Sequence, residues 1–180
     1  MNLVPVRGDA EIAAATFDRH LAAFFAKGRP AREQGWERVD IDPLHSVVRV
    51  PAIREGHADE AYLILVGAEY YDLWPPSVTF VEPLVDGTYR EAPPNSQWWP
   101  RIAGSPGFAI AVHPQYRYPN GEERQLICFS HSLDYYSSNH TPAPAQRWTQ
   151  GRHTVSSTLS RISDVLKPPS YQGPSGADHP

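Results

Sequence analysis

The sequence predicts an α+β domain, and three observations carry that expectation. Runs with helical apolar spacing open and close the ordered part of the chain. Between them lie four β-prone segments joined by short connections, the pattern of an antiparallel meander. A chain of 180 residues with 41% hydrophobic content can bury one substantial core, while two full domains would be cramped. A single domain over residues 1–170 is expected, followed by a flexible Gly/Pro/Ser-rich tail over 171–180.

The first helix is expected from Ala10 to Lys27. Asp9 can cap it, Phe17, Leu21 and Phe24 recur at i, i+4 and i+7, and Gly28 then Pro30 end it. Trp36–Ile41, Val47–Ile53 and Ala61–Glu69 read as three strands. A fourth follows the Pro75-Pro76 turn, where Val78 and Phe80 alternate with Ser77 and Thr79. Four prolines between Glu82 and Pro106 suggest a long loop, with the adjacent Trp98 and Trp99 as a lid over the core. Phe108–Val112 and Gln125–Phe129 read as strands, and Asn120-Gly121 between them is a hairpin turn signal. A polar loop is expected over Asp134–Arg152. The last helix runs from Val155 to Leu166, capped by Thr154, striped by Val155, Leu159, Ile162 and Leu166, and ended by Pro168-Pro169.

Composition excludes several function classes. A net charge of −4 with scattered basic residues offers no concentrated positive face for nucleic acid. The longest apolar run, Ala61–Ala68, falls far short of the roughly 18 residues that span a bilayer, so no membrane partner is expected. The first residues lack a charged leader followed by an apolar run, and a single cysteine forms no internal disulfide; both point to the cytoplasm. Among eight histidines, the spacings of nine and thirteen that separate His131, His140 and His153 match no zinc pattern, so neither metal nor cofactor is expected.

The lone thiol, Cys128, follows the apolar pair Leu126-Ile127 and is the candidate nucleophile. A thiolate attacks carbonyls readily, and the thioester it forms stays reactive toward amines. The competing reading is a buried structural cysteine. No lysine or arginine lies within three residues of Cys128 to lower its pKa, and His131 is the nearest group able to take a proton.

Taken in order, these parts resemble the ubiquitin-conjugating enzyme family, in particular its divergent bacterial relatives. Tyr71, Pro75, Pro76, Val78 and Phe80 resemble the family's tyrosine, its Pro-Pro pair and the Val-x-Phe that follows. Ile127-Cys128 with Leu133 is similar to its Ile-Cys-Leu-Asp-x-Leu, although Phe129 and Ser130 replace Leu-Asp. Trp148, then Thr154–Leu166 and Pro168, resembles the tryptophan and crossing helix after the active-site cysteine. Tyr118-Pro119-Asn120 stands where the family has His-Pro-Asn, with Asn120 eight positions before Cys128 instead of six. The resemblance places insertions near 82–117 and 134–152, and the chain stops before the family's last two helices.

The resemblance implies an N-terminal helix, a four-stranded antiparallel meander, an active-site loop and a helix crossing the sheet. It implies a transferase, encoded in a bacterium and linked to antiviral defence. This enzyme takes a ubiquitin-like protein from an activating-enzyme-like ATPase as a thioester on Cys128 and passes it to an amine on a protein substrate. Asn120 would support the oxyanion, unless it serves only the hairpin turn. His131 would assist deprotonation or orient the amine, unless it is a plain loop histidine. Asp134 and His140 share the following loop and could activate the amine, while Tyr135, Tyr136 and Trp148 would pack it. The alternative is a non-catalytic module of the same fold that holds a modifier or partner. The scarcity of lysine, Lys27 and Lys167 alone, would limit self-modification, although bias in a GC-rich genome explains it better.

Overall fold

The structure is a computed structural model that describes residues 5–26, 35–103, 110–138 and 140–176. Lys27, Gly28 and Pro30 at the expected end of the first helix, Phe108 at the start of an expected strand, and the last four residues of the expected tail lie outside the described residues.

Helix α1 (Ala10–Ala26) starts at Asp9, whose Oδ1 accepts the amides of Glu11 at 2.9 Å and Ile12 at 3.0 Å. Strands β1 (Glu37–Asp42), β2 (His45–Pro51), β3 (Ala61–Gly67), β4 (Ser77–Pro83) and β5 (Tyr89–Glu91) form one antiparallel sheet in sequence order. Register and burial agree across it. Val48, Ile64 and Phe80 sit opposite one another on β2, β3 and β4, with Val50 opposite Tyr62 and Val66 opposite Val78. All seven are buried, and a one-residue slip would turn every one of them to the other face. Burying each such side chain stabilises by about 1.5–3 kcal/mol.

That face packs in one cluster with Phe17 and Leu21 of α1 and with Val155, Leu159 and Ile162 of the last helix, α3 (Val155–Val165). A capping box starts α3: Thr154 bonds the Ser157 amide, and the Ser157 hydroxyl bonds back to the Thr154 amide. The Tyr71 hydroxyl ties the two helices together, meeting His20 Nδ1 of α1 at 2.8 Å and accepting the Val155 amide at 3.0 Å. The chain is therefore α+β, with helices on the inner face of an antiparallel sheet.

Four features differ from the sequence-based expectation. The sheet has five strands, because a tight turn closed by Asp86 on the Thr88 amide brings β5 back along the end of β4; Pro83 and Gly87 hide the alternation. The expected 82–106 loop also contains β6 (Pro100–Ile102), with Trp99 buried edge-on against Phe80 as a lid and Trp98 half-buried beside it. The expected tail holds β9 (Tyr171–Pro174), paired with β6 and anchored where the Tyr171 and Tyr62 hydroxyls meet at 2.7 Å. One buried aromatic outweighs the tail-like composition around it. Finally, the expected polar loop after Asp134 holds α2 (Leu133–Ser137) and a 3-10 turn over Pro144–Gln146.

Strands β7 (Ala111–Arg117) and β8 (Glu123–Cys128) form a separate hairpin around Asn120-Gly121, where Gly121 takes a φ of 87°. Its strands reach further into the polar span than the apolar residues alone suggest.

Candidate functional site

The site is built by β8, whose side chains alternate between two environments. Gln125 and Ile127 turn toward the sheet and main core. Leu126 and Cys128 turn the other way, into a satellite cluster with Tyr118 that Tyr116 and Tyr135 flank. Arg124 shares that face, its guanidinium carbon 4.2 Å from the centre of the Tyr118 ring.

Cys128 is the last residue of β8, opposite Ala111 at the open end of the hairpin, and is 9% exposed. Burial pushes its thiol above the ordinary value, and no cation among the described residues counters that. The sulfur is held as a neutral thiol at neutral pH, in a pocket of aromatic side chains.

Helix α2 covers this cluster. The Leu133 amide donates to the Pro76 carbonyl at 3.0 Å, fixing the start of the helix to the turn before β4. Asp134 follows, 2% exposed, with Oδ1 taking Nη2 of Arg124 at 2.6 Å. Its Oδ2 is buried with no hydrogen-bond partner among the described residues. Burial drives this carboxyl up, against the pull of Arg124. Tyr135 lies against the cluster, and burial together with the neighbouring Cys128 raises its hydroxyl. His140 lies 4.9 Å from the Tyr135 ring centre, with Nδ1 2.8 Å from the Ser138 hydroxyl. At the far side, the Tyr116 hydroxyl donates to the Ser138 carbonyl at 3.3 Å.

The structure does not gather the three candidate catalytic residues into one cluster. Asn120 sits at the exposed turn, where its Oδ1 accepts the Glu122 amide at 3.1 Å and its Nδ2 donates to Glu122 Oε2 at 3.3 Å. From Glu123 to Cys128 the strand covers roughly 17 Å at about 3.3 Å per residue, so Asn120 and Cys128 occupy opposite ends of the hairpin. In this arrangement the side-chain bonds of Asn120 lie within the turn. His131 packs against Trp148, with ring centres 5.7 Å apart, and against His153 at 4.7 Å. Burial, with His153 and Arg161 adding to it, lowers His131 to about 4, which makes it a weak base at neutral pH. Its carbonyl accepts the Thr158 hydroxyl at 2.8 Å, which binds this loop to α3.

Arg124 is the site residue that a search close to Cys128 in sequence passes over. It lies four positions before the cysteine, and the period-2 alternation of β8 puts both on one face. Its charge is spent on Asp134 and Glu122, with Nε 3.3 Å from Glu122 Oε1.

No group of three or more His, Cys, Asp or Glu among the described residues is arranged to hold a metal ion. No helix among them is long and apolar enough to cross a membrane. No protein-family model matches the chain, and no curated protein matches it.

Proposed function

We propose that the chain is a transferase of the ubiquitin-conjugating type, with Cys128 as the acceptor of a ubiquitin-like protein. The observation that carries this reading is the place of the only thiol in the chain. It stands at the end of a strand, in a satellite cluster outside the main core, next to a sheet meander and ahead of a helix packed on the meander's inner face. That order of parts supports the ubiquitin-conjugating-like fold.

The chemistry has two balanced steps. The Cys128 sulfur attacks the acyl carbon of a thioester on an activating enzyme; a new C–S bond forms, the old one breaks, and the Cys128 proton goes to the departing thiolate. An amine on a protein substrate then attacks the same carbon; a C–N bond forms, the C–S bond breaks, and an amine proton returns the thiol. ATP is consumed earlier, by the activating enzyme. A thiol with a raised pKa is a poorer leaving group, which slows loss of the adduct to water between the steps. A free thiol of this kind suits a reducing compartment, and the reading places the protein in a bacterial cytoplasm, in an antiviral defence pathway.

The second reading, a non-catalytic module of the same fold that holds a modifier, draws on a different observation. Neither Asn120 nor His131 is hydrogen-bonded to Cys128, and no cation among the described residues acts on the thiol. A non-reducing gel after incubation with the cognate activating enzyme, modifier and ATP separates the two. An adduct that reductant removes, absent in Cys128→Ala and converted to a reductant-stable ester in Cys128→Ser, supports transfer. A modifier that binds without an adduct leaves the module.

A further inference from the structure

We infer that Arg124 and Asp134 form a latch that holds α2 over Cys128 and sets how often the thiol is open to an incoming electrophile. The inference concerns access to the sulfur, and it regulates transfer only if the reading above is right.

Three features of the geometry support it. The Cys128 cluster is separate from the main core; α2 is rooted in that core through Tyr136, so the part able to swing without unfolding the sheet is the Tyr135 side that faces the hairpin. Two side-chain bonds join the hairpin to the two ends of α2: Arg124 to Asp134 at 2.6 Å, and the Tyr116 hydroxyl to the Ser138 carbonyl at 3.3 Å. Tyr135, which lies on the cysteine cluster, is the residue after Asp134 and three before Ser138, so both bonds bracket it.

The ion pair is built as a reversible contact. Asp134 Oδ1 takes Arg124 and the Val78 amide also pulls on the carboxylate, while Oδ2 is buried without a well-formed hydrogen bond among the described residues. A fully satisfied carboxylate in this place would hold α2 more firmly, whereas opening lets water reach Oδ2 and recovers part of the cost of breaking the pair. Within the transfer reading, a partner that draws α2 away loads the cysteine, and the closed latch keeps other electrophiles out.

The test is the rate of Cys128 alkylation by iodoacetamide in the intact folded protein, needing neither modifier nor activating enzyme. Asp134→Asn and Arg124→Met each remove the latch, and each should raise the rate by about tenfold, the scale of one lost bond to a charged group. The two variants change the field at the thiol in opposite senses, since one frees a cation on the hairpin face that Cys128 shares and the other frees the anion that cation was paired with. A purely electrostatic effect would therefore move their rates in opposite directions, and that result overturns the latch. Tyr116→Phe removes the second tie without stranding a charge and covers the case in which a charge variant fails to fold; it should raise the rate several-fold. Amide exchange in β2 and β3 must stay protected in each variant, because a rise that follows loss of that protection reports global unfolding and also overturns the latch. Unchanged rates in folded variants do the same. A raised rate in variants of a protein that never forms a thioester would keep the latch and remove the transferase.

Discussion

The side-chain amide of Gln125 makes a two-way hydrogen-bond pair with the backbone of Phe80. The Phe80 amide donates to Oε1 at 2.7 Å, and Nε2 donates to the Phe80 carbonyl at 2.8 Å. One glutamine thereby acts as a strand for a single residue at the edge of β4, and the Gln125 amide in turn donates to Glu91 Oε1 at 2.8 Å. This joint seats the hairpin, and Cys128 with it, against the sheet. Gln125 is 1% exposed, so Gln125→Ala leaves the buried Phe80 amide without an acceptor and a cavity beside it. The expected loss is about 2–4 kcal/mol, read as a lower urea midpoint. A loss within experimental error would mean that the hairpin is held elsewhere.

His45 lies between two carboxylates, with Nδ1 2.9 Å from Asp42 and Nε2 2.8 Å from Glu69. Burial alone would lower the imidazole, but the bonds to Asp42 and Glu69 outweigh it and hold the group above 6.5. A raised folded pKa gives stability that is complete below the unfolded pKa and is lost as pH rises through the folded one. Asp42, held low chiefly by His45, loses its share as pH falls through its own depressed folded pKa. His45→Gln should therefore flatten the stability profile above pH 6.5. Both groups are part-exposed, and the difference should be only about 1 kcal/mol or less. A wild-type profile as flat as the variant's would remove this account.

His131 works with the opposite sign. Burial first, then His153 and Arg161, lower it to about 4. Between about 6.5 and 4 the unfolded chain binds a proton that the folded chain refuses, so stability falls with pH over that window and is unaffected above it. The lowering to about 4 corresponds to at most roughly 3 kcal/mol by pH 4, less after solvent screening. His131→Gln should lessen this acid sensitivity, measured by urea unfolding at pH 4.5 and 7. If His131 titrates by NMR near 6.5 in the folded protein, the burial seen here is wrong.

Tyr171 decides whether the C-terminal segment is tail or fold. Its ring lies edge-on to Tyr62 at 5.7 Å, and its hydroxyl closes the Tyr62 contact. Tyr171→Ala should cost about 3–5 kcal/mol, the range for removing a buried aromatic, whereas in a free tail it would cost nothing. Thermal melting of the full chain distinguishes these outcomes.

The parts legible in the sequence are those in which local pattern and burial coincide. Phe17 and Leu21 at helical spacing, Val78 and Phe80 in alternation, and the stripe from Val155 to Leu166 all fall on the core face where their periods put them. Illegible parts depend on contacts between distant residues. Nothing local marks Tyr89–Glu91 as a strand; its partner is β4, across a turn full of breakers. Tyr171 looks like tail until Tyr62, more than a hundred residues earlier, is placed beside it. The site divides in the same way. Asn120 before Gly121 is legible as a turn, and the turn is where its bonds lie. The pairing of Arg124 with Asp134 spans ten residues and a change from strand to helix, which no single period relates.

Cys128 yields the last prediction, since its environment fixes how it reacts. Burial raises the thiol above its ordinary value of 9.0, and no cation among the described residues opposes that. Only the thiolate is alkylated, so the rate rises with pH until the thiol of the folded protein is fully ionised. In the folded protein that rise should continue beyond pH 9, while in urea it should level off near the value of a free cysteine. The same burial makes the folded state less stable above pH 9, because the unfolded chain releases this proton first. Cys128→Ala removes that alkaline term and, as a small side chain in a satellite cluster, should cost about 1 kcal/mol. A folded-state plateau below pH 8 would instead mean that a cation reaches the sulfur in solution, with Arg124, freed from Asp134, the residue of that face able to supply it.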